Sequence, residues 1–132
     1  MIDTDVRNLL LADSAIAALV VDRIAPEVEQ GTPHPLITYT AKIETELLFD
    51  GVSEFATATF DFAIEAASYL ECRQLASLVR GVLNGYAGTL ATCRIVPSKL
   101  TDETDAEELV EEGTDRPLWQ CSQTYEMNFR NV

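Results

Sequence analysis

The chain has 132 residues, with 22 Asp and Glu against 9 Lys and Arg, which gives a net charge of −13. This excess argues against binding nucleic acid through its phosphates, because such binding needs a basic surface. No run of about 18 apolar residues occurs, so no transmembrane helix is expected. The N-terminal sequence MIDTDVRNLLLAD carries acids where a signal peptide carries bases, so secretion by that route is not expected.

Two short helices are predicted at the N-terminus. Asp3 or Thr4 can cap the first helix, and Asp13 followed by Ser14 is a second cap signal. The second helix must end before Pro26, because proline cannot continue it. The same residues also fit one bent helix, and the sequence does not separate the two possibilities.

Two strands with a long connection should follow. Residues 55–64 alternate between a wholly apolar face, expected to point to the core, and a Thr-rich face. Residues 36–44 alternate in the same way, so the two segments are predicted to pair antiparallel. The connection contains Leu47, Leu48 and Phe49, which either cover the sheet edge or contact a partner.

The best-patterned helix of the chain is predicted after the second strand. Ser68 is followed three residues later by Glu71, which is the spacing of a capping box. Apolar residues then recur at three- and four-residue intervals and form a buried stripe. Gly85 is placed to end the helix in the left-handed conformation. Arg73 and Arg80 fall on the exposed side.

The C-terminal part is predicted to contain two more strands. The first covers residues 89–96, and Pro97 should end its ladder because proline lacks an N–H donor. Residues 101–115 hold eight acids in a mobile loop, since they lack the apolar area that would offset their ordering entropy. In the last strand, Gln123 interrupts an apolar face and marks a bulge, a bend or the wet end of that face.

The summed order is α-α-β-β-α-β-β, which predicts an α+β fold in a single domain over residues 1–132. Its core would be a single four-stranded antiparallel sheet, with the N-terminal helices and one central helix packed on one face. Alternation in every strand favours an antiparallel, half-covered sheet over a parallel one.

The sequence shows no group that could carry catalysis. His34 is the only histidine, so a triad base and a histidine metal site are not expected. Cys72, Cys93 and Cys121 are odd in number and widely spaced, which indicates buried free thiols in a reducing compartment. Phosphate-binding glycine motifs do not occur, and the acids of 102–115 lack the register of a calcium loop. We expect no enzyme, no cofactor and no metal.

Four stretches together resemble a known family: LLLADSAIAALVVDRIAPE, PLITYT, FDFAI and SYLECRQLASLVRGVLNG. They are similar to the tail-completion proteins of long-tailed bacteriophages, also called head–tail joining or tail-terminator proteins, over nearly the whole chain. One departure is Ile64-Glu65-Ala66, where members of the family often carry a tryptophan. A second departure is the acidic segment, which is longer and more charged than is typical of the family.

The resemblance implies a structural protein that caps the tail tube and joins it to the head as a ring oligomer, often a hexamer. Its partners would be other copies of itself, the tail tube protein and the head connector. DNA would pass through without specific binding, and no membrane would be involved. The protein would assemble in the host bacterial cytoplasm and reside in the neck of the virion.

If the chain forms a ring, two kinds of exposed residue are candidates for its contacts. Acidic residues could face either the lumen or a basic neighbouring ring, while apolar or basic residues could meet an adjacent subunit. The predicted interface residues are Asp102, Glu103, Asp105, Glu107, Glu108, Glu111, Glu112, Leu47, Leu48, Phe49, Arg73 and Arg80. The alternative is a small monomeric inhibitor whose acids mimic nucleic acid and block a DNA-binding enzyme.

Overall fold

The computed structural model describes residues 2–27, 32–45, 56–109 and 118–131. The helices are α1 (Ile2–Leu11), α2 (Ser14–Val20) and α3 (Tyr69–Leu83). The strands are β1 (Ile24–Ala25), β2 (Leu36–Thr45), β3 (Ala56–Ala66), β4 (Gly88–Thr89), β5 (Cys93–Leu109) and β6 (Leu118–Asn131).

The strands form a six-stranded mixed sheet in the order β1-β2-β3-β6-β5-β4, which curls into a half-barrel. β1 pairs parallel with β2, and the other neighbours pair antiparallel. The predicted single four-stranded antiparallel sheet is therefore wrong. The two added strands have two residues each, which is too short to leave an alternating pattern in the sequence.

The structure of β5 differs from two further predictions. The strand continues through Pro97 instead of ending there, because its register against β6 shifts between Val96 and Ser98. Such a bulge removes the residue that lacks an N–H donor from the ladder. The strand then runs to Leu109, so the predicted acidic loop is strand over residues 101–109, and its remainder lies outside the described residues.

The core lies on one face of the sheet, beneath all three helices. The alternate residues of β3 from Ala58 to Ala66 are buried, as are those of β6 from Cys121 to Phe129. At its centre the rings of Phe60 and Phe62 stack with centroids 5.7 Å apart. The predicted apolar faces of β3 and β6 are thus confirmed, whereas Ala41 and Ile43 on the apolar face of β2 are exposed.

Local signals also fixed the helix ends. The Ser68 hydroxyl accepts a hydrogen bond from the Glu71 backbone N–H at 3.2 Å, which confirms the predicted cap of α3. Gly85 has a φ of +79°, a left-handed conformation that favours glycine. At the N-terminus, the Asp13 carboxylate accepts from the N–H groups of Ala15 and Ile16. This cap begins a second helix, so the N-terminus holds two helices and not one bent helix.

Candidate interaction surfaces

The helix-free face of the sheet is polar. Residues of β3 and β6 that alternate with the core positions carry hydroxyl, amide and carboxylate groups. Thr124 donates to the Asp61 carboxylate at 2.6 Å, and Thr57 donates to the Asn128 side-chain oxygen at 2.9 Å. All three helices contribute their buried residues to the opposite face. Within the described residues, this face is therefore open to water or to a partner.

The acidic end of β5 divides between the two faces. Glu103 lies opposite Gln123, on the helix side, whereas Asp102 lies opposite Thr124, on the helix-free side. Residues directly opposite each other in a ladder share a face. Glu107, farther along β5, is exposed as well. The carboxylates of residues 102–108 therefore form an acidic strip along this strand.

α3 brings both of the predicted basic residues against this strip. Arg80 Nη1 lies 2.9 Å from Glu103 Oε2, and Arg73 Nε lies 3.6 Å from Asp105 Oδ1. A groove of about 670 Å³ separates the helix from the strand. Leu70 stands at its rim with 75% of its surface exposed. Two of the acids are therefore paired with arginines of the same chain, which leaves fewer unpaired carboxylates for the alternative function as a nucleic-acid mimic.

Gln123 is a buried polar residue whose role the sequence did not reveal. It is 1% exposed and accepts a hydrogen bond from the Tyr125 hydroxyl at 2.7 Å. Its Nε2 donates to the Ala76 carbonyl at 2.9 Å and reaches Glu103 Oε1 at 3.5 Å. Burial raises the pKa of Tyr125, so its phenol stays a neutral donor. The only sequence signal was a polar residue on an otherwise apolar face.

Each of the two lateral edges of the sheet is covered along only part of its length. β1 pairs only with Ile37 and Thr38 of β2, and β4 pairs only with Arg94 and Ile95 of β5. On the outer side of β5, the Gly85 N–H donates to the Ser98 carbonyl, the Ser98 N–H donates to the Tyr86 carbonyl, and the Leu100 N–H donates to Asn84 Oδ1. Beyond Thr38 on β2 and Leu100 on β5, no further strand within the described part of the chain pairs with the outer side of the sheet. Backbone donors and acceptors on such edges can pair with another chain.

The described residues contain no cluster of three or more side chains suited to hold a metal ion. No described helix has the length and apolar character needed to cross a membrane. His34 lies 3.4 Å from a Glu65 carboxylate oxygen. Five predicted interface residues fall outside the described residues, so the structure does not place them: Leu47, Leu48, Phe49, Glu111 and Glu112.

Comparison with known proteins identifies the family. The family model described as "Tail completion protein gp17" matches residues 4–116. A chain from a solved structure described as "Virion of native gene transfer agent (GTA) particle" superposes with a TM-score of 0.72. The superposition covers 96% of this chain and 92% of that one at 19% identity, which supports a shared fold. A search of curated proteins finds no match.

The family match spans most of the sequence and confirms the resemblance inferred from its four stretches. The partly open sheet edges and the acidic strip therefore belong to a structural protein. The chain belongs to the tail completion protein gp17 family and is a structural component of the phage tail.

Proposed function

We propose that this protein caps the tail tube and joins the tail to the head as a ring oligomer, with six copies as the expected number. The observation that carries the proposal is the pair of partly open sheet edges, β2 beyond Thr38 on one side and β5 beyond Leu100 on the other. Two different surfaces that meet head to tail generate a closed ring when the rotation between copies closes. The ring would then bury edges that are a liability in an isolated chain.

The backbone of β2 indicates which groups would pair with a neighbouring copy. The Ile37 N–H donates to the Arg23 carbonyl, on the side away from β3. Because the β2–β3 register is continuous from Leu36 to Thr45, Ala41 and Ile43 direct their N–H groups to the same outer side. Those donors are available to the β5 edge of another copy.

Charge supports the same arrangement. The open part of β5 carries Asp102, Glu107 and Glu108, whereas on β2 the Lys42 ammonium lies 3.2 Å from the Glu44 carboxylate, so those two charges cancel. Like charges on facing strands disfavour pairing of two β5 edges, which leaves pairing of β5 with β2 as the favoured arrangement. The polar, helix-free face would line the lumen, where carboxylates such as Asp61 would keep phosphates from adhering as DNA passes.

The ring is tested by removing edge donors without breaking the sheet inside one copy. Proline at Ala41 and Ile43 removes two outward N–H groups and leaves the β2–β3 ladder without a lost donor. The control carries Ala41→Ser and Ile43→Thr, which keep both donors. The measurement is the molar mass by light scattering after size-exclusion chromatography. We expect six times the 14.5 kDa chain mass for the wild type and the control, and the mass of a monomer for the proline variant.

A proline variant that is folded by circular dichroism and still forms the wild-type oligomer would contradict pairing through β2. A wild type that stays monomeric in the presence of purified tail tube protein and head connector protein would contradict the ring itself. Joining of tail to head is measured separately, by counting headless tails and tailless heads in electron micrographs of particles assembled without the protein.

A further inference from the structure

Two of the three cysteines lie side by side in the core. Cys72, on the first turn of α3, places its Sγ 3.3 Å from the Sγ of Cys121 on β6. The two residues are 0% and 2% exposed. Helix and strand approach here across 49 residues of sequence, so the contact is a property of the tertiary fold. Cys93 lies on β5, where its thiol instead interacts with Asp5.

The surroundings of this pair favour the protonated thiols. The Cys72 thiol lies 3.3 Å from the Ile64 carbonyl, to which it can donate. Burial, together with the neighbouring Cys121, raises the pKa of Cys72 to about 12, and burial raises that of Cys121 as well. Since the thiolate is the reactive form, both thiols react slowly with an oxidant.

We propose that Cys72 and Cys121 form an intramolecular disulfide once the virion has left its host, and that this bond fastens α3 to β6. Both S–H bonds break and one S–S bond forms. The two protons and two electrons pass to a small-molecule oxidant such as dioxygen, which is reduced to hydrogen peroxide. The sulfur atoms need to approach by about 1.3 Å to reach bonding distance.

Such a bond would matter for a particle that persists outside a cell. A crosslink between residues this far apart restricts the unfolded chain and so stabilises the folded state. It would also prevent α3 from separating from β6. α3 also carries Arg73 and Arg80, which hold the acidic end of β5. Fastening the helix would hold that surface in place without adding any contact to it.

The test is oxidation of the folded protein with diamide, a thiol-specific oxidant, followed by intact mass spectrometry without reductant. We expect a loss of about 2 Da, reversed by dithiothreitol, because two hydrogens leave. Trypsin cuts after Arg73, Arg80, Arg94 and Lys99, so the three cysteines lie on three different peptides. The linked product should join the peptides of Cys72 and Cys121, and the melting temperature should rise by roughly 5–15 °C.

Cys93→Ala is the matched control, since it removes a buried thiol and leaves the pair intact. It should retain the mass loss, whereas Cys121→Ala should abolish it. Oxidation of urea-unfolded protein shows that the reagent is active. The proposal is overturned if folded wild type keeps its mass while the unfolded sample is oxidised. A link through Cys93, or between two chains, overturns it as well; the peptide map of wild type decides this even if a variant fails to fold.

Discussion

At the scale of single residues, Asp5 is a charged group that the fold has enclosed. It is 4% exposed and accepts hydrogen bonds from the Thr92 hydroxyl at 2.6 Å and the Thr92 N–H at 2.9 Å. Burial alone would raise its pKa, but the two hydrogen bonds from Thr92, the Cys93 thiol and the N-terminal charge together lower it. The Asp5 carboxylate therefore links α1 by hydrogen bonds to the turn before β5.

We expect this carboxylate to make stability depend on pH in the acid range. Its folded-state pKa lies below the ordinary value of about 3.9, so its contribution is complete above that value and is lost as the pH falls through the folded-state pKa. Asp5→Asn should lose about 1–3 kcal/mol at pH 7 and flatten the decline below pH about 4. Urea unfolding at a series of pH values measures both effects.

Thr92→Ser is the matched control for Asp5, because it retains the hydroxyl and the N–H that donate to the carboxylate. Its pH profile should follow the wild type. If Asp5→Asn reproduces the wild-type slope in acid, another carboxylate is responsible for the decline.

At the scale of elements, Gln123 joins α3, β5 and β6 at one point. It contacts the Ala76 carbonyl of the helix, Glu103 of one strand and Tyr125 of its own strand. Arg80 extends the connection, since it binds both carboxylate oxygens of Glu103 at 3.0 and 2.9 Å. A polar chain thus leads from the centre of the core to the groove beside α3.

Gln123→Leu should lower the free energy of unfolding by about 1–3 kcal/mol, because the buried Tyr125 hydroxyl and the Ala76 carbonyl lose their partner. Adding Tyr125→Phe removes one of these orphaned groups. The double variant should therefore lose less than the sum of the two single variants, as measured by urea unfolding of all four proteins. Strictly additive losses would mean that the two side chains are not coupled.

At the scale of the whole molecule, only some of the acidic side chains of β5 lie outside ion pairs and can act on a partner. Arg73 and Arg80 engage Asp105 and Glu103, so part of the charge is balanced within the chain. The exposed acids of β5 outside those pairs are Asp102, Glu107 and Glu108. If the ring surrounds passing DNA or meets a basic neighbour, these carboxylates should matter for assembly and delivery.

Neutralising the three together, as Asp102→Asn, Glu107→Gln and Glu108→Gln, should lower the yield of infectious particles by roughly tenfold through the loss of charge steering and repulsion. Plaque titre and the DNA content of purified particles measure this effect. A control with Asp22→Asn, Glu27→Gln and Glu71→Gln has the same net charge and should keep the wild-type titre. Equal titres for the two variants would show that the position of the acids on β5 is unimportant.

The sequence by itself determined the features that depend on near neighbours. The buried faces of β3 and β6, the cap at Ser68 and the turn at Gly85 follow from periodicity and backbone preference. The family could also be inferred from sequence, because its patterns of small and apolar residues extend along nearly the whole chain.

Only the tertiary structure decided which strands meet. The two-residue strands at the sheet ends, the parallel pairing of β1 and the extension of β5 through Pro97 depend on backbone hydrogen bonds between distant segments. The same distant contacts bury Gln123 and bring Cys72 to Cys121. Side-chain patterns do not record such pairings, since the ladder forms between main-chain groups that every residue except proline carries.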